Sequence, residues 1–222
     1  MEIDNRYPQL EAFCRDYRTH QPPQLTISVS EAEIDRENQT GQVLPRHYLE
    51  SLAVYRKICD CLLERNTVLF HCSALMLDGV AYLFTAPSGT GKSTHTRLWR
   101  ERFGSRVTMI NDDKPLLRVE PSGVTVYGTP YGGKEGIHTN TSARVGGIVL
   151  LHQAPVNSIR PLSAKESYPF LLNQTHRPED VSKLLRTMEL VQSLANLPVF
   201  ELGCTISQEA VELAYNALRS RL

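Results

Sequence analysis

The sequence predicts an α/β protein, a mixed and partly antiparallel sheet flanked by helices. Three observations carry that expectation. Apolar strand-like runs crowd the middle of the chain, while helical periodicity marks both ends. Asp78-Gly79 joins two such runs, Val68–Leu77 and Val80–Thr85, as a two-residue hairpin turn whose central positions both need positive φ. The second run then enters a glycine-rich loop, Ala86–Ser93, which opens a helical stretch from Lys92 to Phe103.

In chain order, Leu25–Val29 alternates as a strand should after the break at Pro22-Pro23. Ser30-Glu31-Ala32-Glu33 has the form of a capping box. Between Arg46 and Arg65 the apolar residues Leu49, Leu52, Ala53, Ile58, Cys59, Leu62 and Leu63 recur at three and four, which predicts a helix. Beyond the loop and its helix, strands are expected at Val107–Ile110, Leu116–Glu120, Val124–Gly128 and Gly147–Leu151, with a turn at Pro121-Ser122-Gly123. A second capping box, Ser163 to Glu166, starts a helix running towards Asn173. A helix over Pro178–Ala195, a strand Val199–Leu202 and a helix Ser207–Arg219 complete the chain. Residues 1–45 are the least patterned, so they are expected to form an extension packing on a core domain of residues 46–222.

Lysine and arginine number 24 and aspartate and glutamate 24, a balance that argues against nucleic acid or a membrane surface as a bulk electrostatic partner. No apolar run approaches the roughly 20 residues needed to span a bilayer. Met1-Glu2-Ile3-Asp4-Asn5-Arg6 has no apolar stretch behind it and does not read as a signal peptide. The five cysteines (14, 59, 61, 72 and 204) are odd in number and scattered, which fits reduced thiols in a cytoplasm. Cys59-x-Cys61 is too close for zinc-ligand spacing and has no second pair.

The loop Ala86-Pro87-Ser88-Gly89-Thr90-Gly91-Lys92-Ser93 has the chemistry of a phosphate cradle. Gly89 and Gly91 let backbone N–H groups curl around an anion, and the helix behind adds partial positive charge. Ser88, Gly89, Thr90, Gly91, Lys92, Ser93 and Thr94 are therefore the candidate nucleotide-binding residues. Lys92 is suited to β- and γ-phosphates, Ser93 to Mg²⁺ and Thr94 to the α-phosphate. Asn111-Asp112-Asp113 ends the next strand, where a phosphate-loop protein holds its metal; two aspartates allow one to face Mg²⁺ and the other an acceptor hydroxyl. Lys134, in the glycine-rich segment Gly128–Thr139, is a candidate cation for the transition state. That segment is expected to act as a mobile lid, because its glycines loosen it and no apolar period pins it to a core.

These features resemble the HPr kinase/phosphorylase family. The resemblance rests on His71 in His71-Cys72-Ser73-Ala74-Leu75, the loop Ser88–Ser93, the pair Asp112-Asp113, and Gly128-Thr129-Pro130-Tyr131-Gly132-Gly133-Lys134, in that order. It covers about residues 66–222. The first 65 residues do not resemble that family's N-terminal domain, and the glycine-rich segment departs from its signature. The chain looks closer to the HPr-kinase-like proteins of peptide-modification gene clusters. The resemblance implies a P-loop kinase core of the HPr kinase and phosphoenolpyruvate carboxykinase type. It also implies ATP and Mg²⁺ as cofactors, a Ser or Thr hydroxyl on a protein or peptide as acceptor, and a homo-oligomer. By it, Asp112 is the proton acceptor, Asp113 lies nearer the metal, and His71 orients or helps charge the aspartate. Two other readings of the same residues are a nucleotide-binding module without chemistry and a carboxykinase-like enzyme acting on a small molecule.

Overall fold

Ser30 and Ser163 show how directly local sequence sets local structure here. Each hydroxyl accepts the backbone N–H three residues on, and the glutamate at that position reaches back to the serine's own N–H. The computed structural model describes residues 1–38 and 43–221. The chain divides into two units, Met1–Glu64 and Arg65–Leu222. The helix expected to open the core domain at residue 46 thus groups with the first unit; part of the expected extension, residues 39–42, lies outside the described residues.

In the first unit, β1 (Glu2–Asp4) and β2 (Thr26–Ser28) pair in parallel, with α1 (Gln9–Phe13), α2 (Glu31–Arg36) and α3 (Arg46–Leu62) around them. The periodic face of α3 buries Leu49, Ala53, Ile58 and Cys59, and Ile27 and Ile34 are buried from β2 and α2. Glu50, on the same helix, is fully buried, and its carboxylate accepts the backbone N–H groups of Arg6 (2.5 Å) and Tyr7 (3.2 Å). That satisfies donors which no strand or helix would otherwise meet.

The second unit contains β3 (Thr67–Leu69), β4 (Ser73–Leu77), β5 (Val80–Thr85), α4 (Lys92–Phe103), β6 (Val107–Asn111), β7 (Leu116–Glu120) and β8 (Gly123–Tyr127). It continues with β9 (Ser142–Gln153), β10 (Ser158–Leu162), α5 (Ala164–Asn173), α6 (Val181–Ala195), β11 (Val199–Cys204) and α7 (Gln208–Arg219). Asp78 and Gly79 both take positive φ, as their turn requires. The expected strand Val68–Leu77 is two strands, β3 and β4, because Phe70-His71-Cys72 leaves the ladder. The strand expected at Gly147–Leu151 is longer, and β10 carried no sequence signal.

The sheet is mixed. Its order is β3-β7-β8-β9-β5-β4-β6, with β11 on β9 and β10 on β11. One edge of β9 pairs antiparallel with β8 through Ser142–Arg144 and then parallel with β11 through Ile148–Gln153, while its other edge pairs parallel with β5. Alternate residues Leu75, Leu77, Tyr82, Phe84, Val149, Leu151, Phe200 and Leu202 face one apolar core with Trp99 of α4 and Val211, Ala214 and Leu218 of α7. On α6, Leu190, Val191 and Leu194 are buried, and the helix packs on β3 and β7. Among the described residues no helix is long and apolar enough to cross a membrane.

This topology positions the site. Strand β4 is antiparallel to both β5 and β6, so β5 and β6 run the same way. The loop after β5, the turn after β6 and the residues entering β4 therefore all lie at one edge of the sheet.

Candidate active site

Strand β5 is buried from Ala81 to Thr85 and delivers the chain to Pro87-Ser88-Gly89, which is exposed. Thr90 closes the turn, donating to the Pro87 carbonyl from its N–H (3.3 Å) and from its hydroxyl (2.8 Å). Gly89 and Gly91 have φ of +81° and +117°, and a Cβ on either would meet no atom within 4 Å. Backbone conformation, not crowding, therefore calls for glycine at both. Gly91 is the N-cap of α4. Ser93 and Thr94 stand half-buried on its first turn.

The Lys92 side chain folds back under the loop. Its ammonium donates to the Ala86 carbonyl at 3.0 Å, and the residue is only 8% exposed. Burial pushes its pKa down, and the negative charges of Asp113 and then Asp112 oppose that. Both aspartates thus act electrostatically on the loop lysine. His95, one turn along α4, is core: its Nε2 accepts the Trp99 indole N–H at 3.0 Å, and burial lowers its pKa to about 4, which keeps it neutral.

Strand β6 ends in Asn111, which is fully buried. Its amide nitrogen donates to the carbonyl and hydroxyl of Thr129 (2.9 and 3.0 Å), and its oxygen accepts the N–H groups of Asp113 and Lys114, both at 2.8 Å. This Asx turn aims the two aspartates. Sequence reasoning read Asn111 only as part of the turn and missed Thr129.

The two carboxylates have different surroundings. Asp113 Oδ1 lies 3.1 Å from His71 Nε2, and its Oδ2 pairs with the Lys114 ammonium. Burial alone would raise the Asp113 pKa, but the hydrogen bonds and charges of His71 and Lys114 outweigh it and hold the group below its ordinary value. Asp112 is 8% exposed, and its Oδ1 is buried with no hydrogen-bond partner. A buried acceptor left so costs about 1–3 kcal/mol. That oxygen is the one atom of the site whose chemistry asks for a cation or a donor.

His71 sits in the break between β3 and β4, and this is why it is available. Its N–H donates to the Gln174 carbonyl at 2.7 Å, its carbonyl accepts the Thr85 hydroxyl at 2.9 Å, and its Nδ1 lies 2.9 Å from Gln174 Oε1. Gln174 ends α5 and had no signal in the sequence. The neighbouring Cys72 is buried, and burial raises its thiol well above the usual value, so it is not a nucleophile.

The glycine-rich segment corrects an expectation. It is not loose from Gly128 to Thr139. Thr129 and Tyr131 are buried, Tyr131 accepts from the Lys114 N–H (3.2 Å), Ile137 accepts from the Asp112 N–H (3.0 Å), and the Thr139 N–H donates to Ile110 (3.0 Å). The segment adds a short strand-like edge to β6, pinned by backbone hydrogen bonds that carry no apolar period. Only Gly133–Gly136, with Lys134 and Glu135, forms an exposed tip. Gly133 lies against the site, where a Cβ would come within 2.9 Å of Asp113 Cβ.

His71, the glycine loop and the Asp112-Asp113 turn are thus brought to one sheet edge, with Gly133 beside Asp113 and Lys134 next along the exposed tip. Elsewhere in the unit, Asn157 bonds Thr205, Ser207 and Glu209, and Arg160 pairs with Glu201 and Glu166.

No family model and no curated protein matches the chain. Among solved structures it is similar to the Hpr(Ser) kinase/phosphatase from Coxiella burnetii, at 14% identity and a TM-score of 0.42, over 68% of this chain and 97% of that one.

Proposed function

We propose that the chain is a Mg-ATP-dependent kinase that transfers the γ-phosphate of ATP to a Ser or Thr hydroxyl of a protein or peptide. The observation that carries this reading is the pairing, at one sheet edge, of the buried loop lysine Lys92 with two aspartates, one of them bearing an unsatisfied buried oxygen. A loop that only bound a phosphate would have no use for that second half.

Ser93 and Asp112 fit as the residues that hold Mg²⁺. Among the described residues no group of three or more His, Cys, Asp or Glu side chains is arranged to hold a metal. Magnesium commonly takes most of its ligands from phosphate and water, so a serine and one carboxylate oxygen suffice. The bound ion would neutralise charge on the β- and γ-phosphates. Asp113 then becomes the proton acceptor. These roles are the reverse of those expected from sequence. The reason is that Asp112 Oδ1 lacks a partner while Asp113 is the carboxylate that His71 contacts. A carboxylate has about four lone-pair sites, so Asp113 keeps capacity for a hydroxyl.

In this reading the acceptor oxygen forms a bond to the γ-phosphorus as the bond from that phosphorus to the β–γ bridging oxygen breaks. ADP leaves, and the hydroxyl proton passes to Asp113. Lys92 stabilises the charge moving onto the bridging side, and the backbone N–H groups of Ser88, Gly89, Gly91 and Lys92 orient the phosphates.

The test uses γ-labelled ATP with Mg²⁺ and a panel of Ser- and Thr-bearing peptides. Acid-stable label on a peptide, with ADP formed above the rate in water alone, supports the kinase. Tight nucleotide binding with no transfer and no hydrolysis supports a binding module, and turnover that depends on oxaloacetate supports a carboxykinase-like enzyme. Either of the last two results overturns the proposal.

A narrower lid follows from the pinned segment. Trypsin is expected to cut after Lys134 in the free protein and to do so at least about 5-fold more slowly with Mg-nucleotide and acceptor peptide, as for a closing loop that excludes water. A protease of broad specificity, able to cut anywhere in the segment, is expected to leave the flanking stretches Gly128–Gly132 and Ile137–Thr139 uncut in both states, because backbone hydrogen bonds pin them. Equal cleavage at Lys134 with and without ligands means the tip does not close.

A further inference from the structure

We propose that Gln174 is a positioning residue of the site: it clamps His71 so that a protonated Nε2 faces Asp113. The inference rests on the reading of Asp113 as proton acceptor given above.

Gln174 holds His71 at two points, its backbone carbonyl taking the His71 N–H (2.7 Å) and its side-chain amide meeting Nδ1 (2.9 Å). The segment that carries it is itself fixed. Phe70 bridges Thr175, the His176 N–H donates to the Leu69 carbonyl (3.1 Å), and the Thr175 hydroxyl donates to the Leu171 carbonyl (2.8 Å). The end of α5 is therefore stitched across the break between β3 and β4 at His71, whose ring nitrogen lies 3.1 Å from Asp113 Oδ1.

The chemistry of the three groups sets where the proton is. An ionised carboxylate only accepts, so the His71 nitrogen 3.1 Å from Asp113 Oδ1 must carry a hydrogen. The other ring nitrogen is then either bare or protonated. A primary amide serves both cases, because it presents a carbonyl oxygen or an NH₂ group by turning end for end, and the two ends are interchangeable in shape. Among side chains of this length only glutamine offers both. With Gln174 in place, Nε2 has no competing partner and the ring has no reason to flip. Without it, Nδ1 is unpaired and the ring can swing away from Asp113; either nitrogen can then take the proton, and the hydrogen bond that orients Asp113 is made only part of the time.

The test compares the full-length wild type with Gln174→Met, which keeps the bulk and removes both hydrogen-bonding ends, and Gln174→Glu, which keeps an acceptor. ADP release from Mg-ATP with water as acceptor is the activity readout. Gln174→Met is expected to lower kcat by about 10–100-fold, the usual loss when an orienting partner is removed, with the KM for ATP unchanged. Gln174→Glu, an acceptor only, is expected to retain several-fold more activity than Gln174→Met when Nδ1 carries a proton, and to lose as much when it is bare. Ring ¹⁵N shifts of His71, assigned with a His71→Asn variant, supply a readout that needs no turnover: Nε2 protonated in the wild type, and an averaged tautomer in Gln174→Met. Wild-type rates in Gln174→Met, or a bare Nε2 in the wild type, each overturn the inference. If the wild type binds ATP but never turns it over, the kinase reading fails, and the ¹⁵N shifts alone then decide whether Gln174 sets the His71 tautomer.

Discussion

Lys92→Ala is expected to lower turnover of Mg-ATP by about 10²–10³-fold, or roughly 3–4 kcal/mol of transition-state stabilisation. It is also expected to weaken nucleotide binding by about 10–100-fold, the worth of one charge-assisted hydrogen bond. The lysine is buried under the loop with its ammonium on the Ala86 carbonyl, and the two aspartates of the neighbouring turn oppose the burial that would discharge it. It is therefore a positive charge already desolvated and waiting beside the loop amides, where an anion gains most from it. Lys92→Met, which keeps the aliphatic stem, separates loss of charge from loss of packing. Calorimetric titration with Mg-ATP and a steady-state ADP assay are the measurements, with circular dichroism to show that both variants fold. Unchanged affinity and turnover in folded Lys92→Met would sink the phosphate-loop assignment.

The aspartate pair has the second large expected effect, and the two variants differ in kind. Asp113→Asn removes the proposed proton acceptor but keeps size and a hydrogen-bonding oxygen for His71, so kcat is expected to fall by about 10²–10⁴-fold with ATP affinity nearly unchanged. Asp112→Asn is expected instead to raise the Mg²⁺ concentration needed for half-maximal activity, because it replaces a proposed carboxylate ligand with a neutral amide. It also carries a signature unrelated to catalysis. Asp112 Oδ1 is a buried acceptor with no partner, so Asp112→Asn breaks no hydrogen bond at that oxygen, and melting without nucleotide or metal should not shift downward. Asp113 is already paired with His71 and Lys114, and Asp113→Asn should lower the melting temperature. Magnesium titrations of activity and thermal melts of both variants check this. The opposite kinetic pattern returns the roles to those first expected from the sequence, and no effect from either variant moves the site elsewhere.

Much of the molecule was legible because its signals are local. The capping boxes at Ser30 and Ser163, the Asp78-Gly79 turn, the apolar strand feeding the glycine loop and the helix behind it all follow from residues within about five positions of one another. The identities of Lys92, Ser93, Asp112 and Asp113 as candidates were legible for the same reason, since a glycine-rich turn and a strand-end acidic pair are short patterns. The helix Arg46–Leu62 was also readable, but the unit it joins was not, because an apolar face says that it will be buried and not against what.

Only the tertiary structure decided how those pieces meet. Strand β4 runs against both β5 and β6, and that pairing, made through long-range backbone hydrogen bonds, carries His71, the loop and the aspartates to one sheet edge. His71 reaches Asp113 because Phe70-His71-Cys72 leaves the ladder to bond residues 174–176, more than a hundred positions away, which no local pattern encodes. The glycine-rich segment looked free because pinning was sought in apolar periodicity, whereas backbone N–H and carbonyl groups hold it, and those are the same in every sequence. The difference between the two aspartates is of this kind as well. Adjacent and chemically identical in the sequence, they are separated by which carboxylate the fold pairs and which one it leaves with an oxygen, Oδ1, buried without a partner.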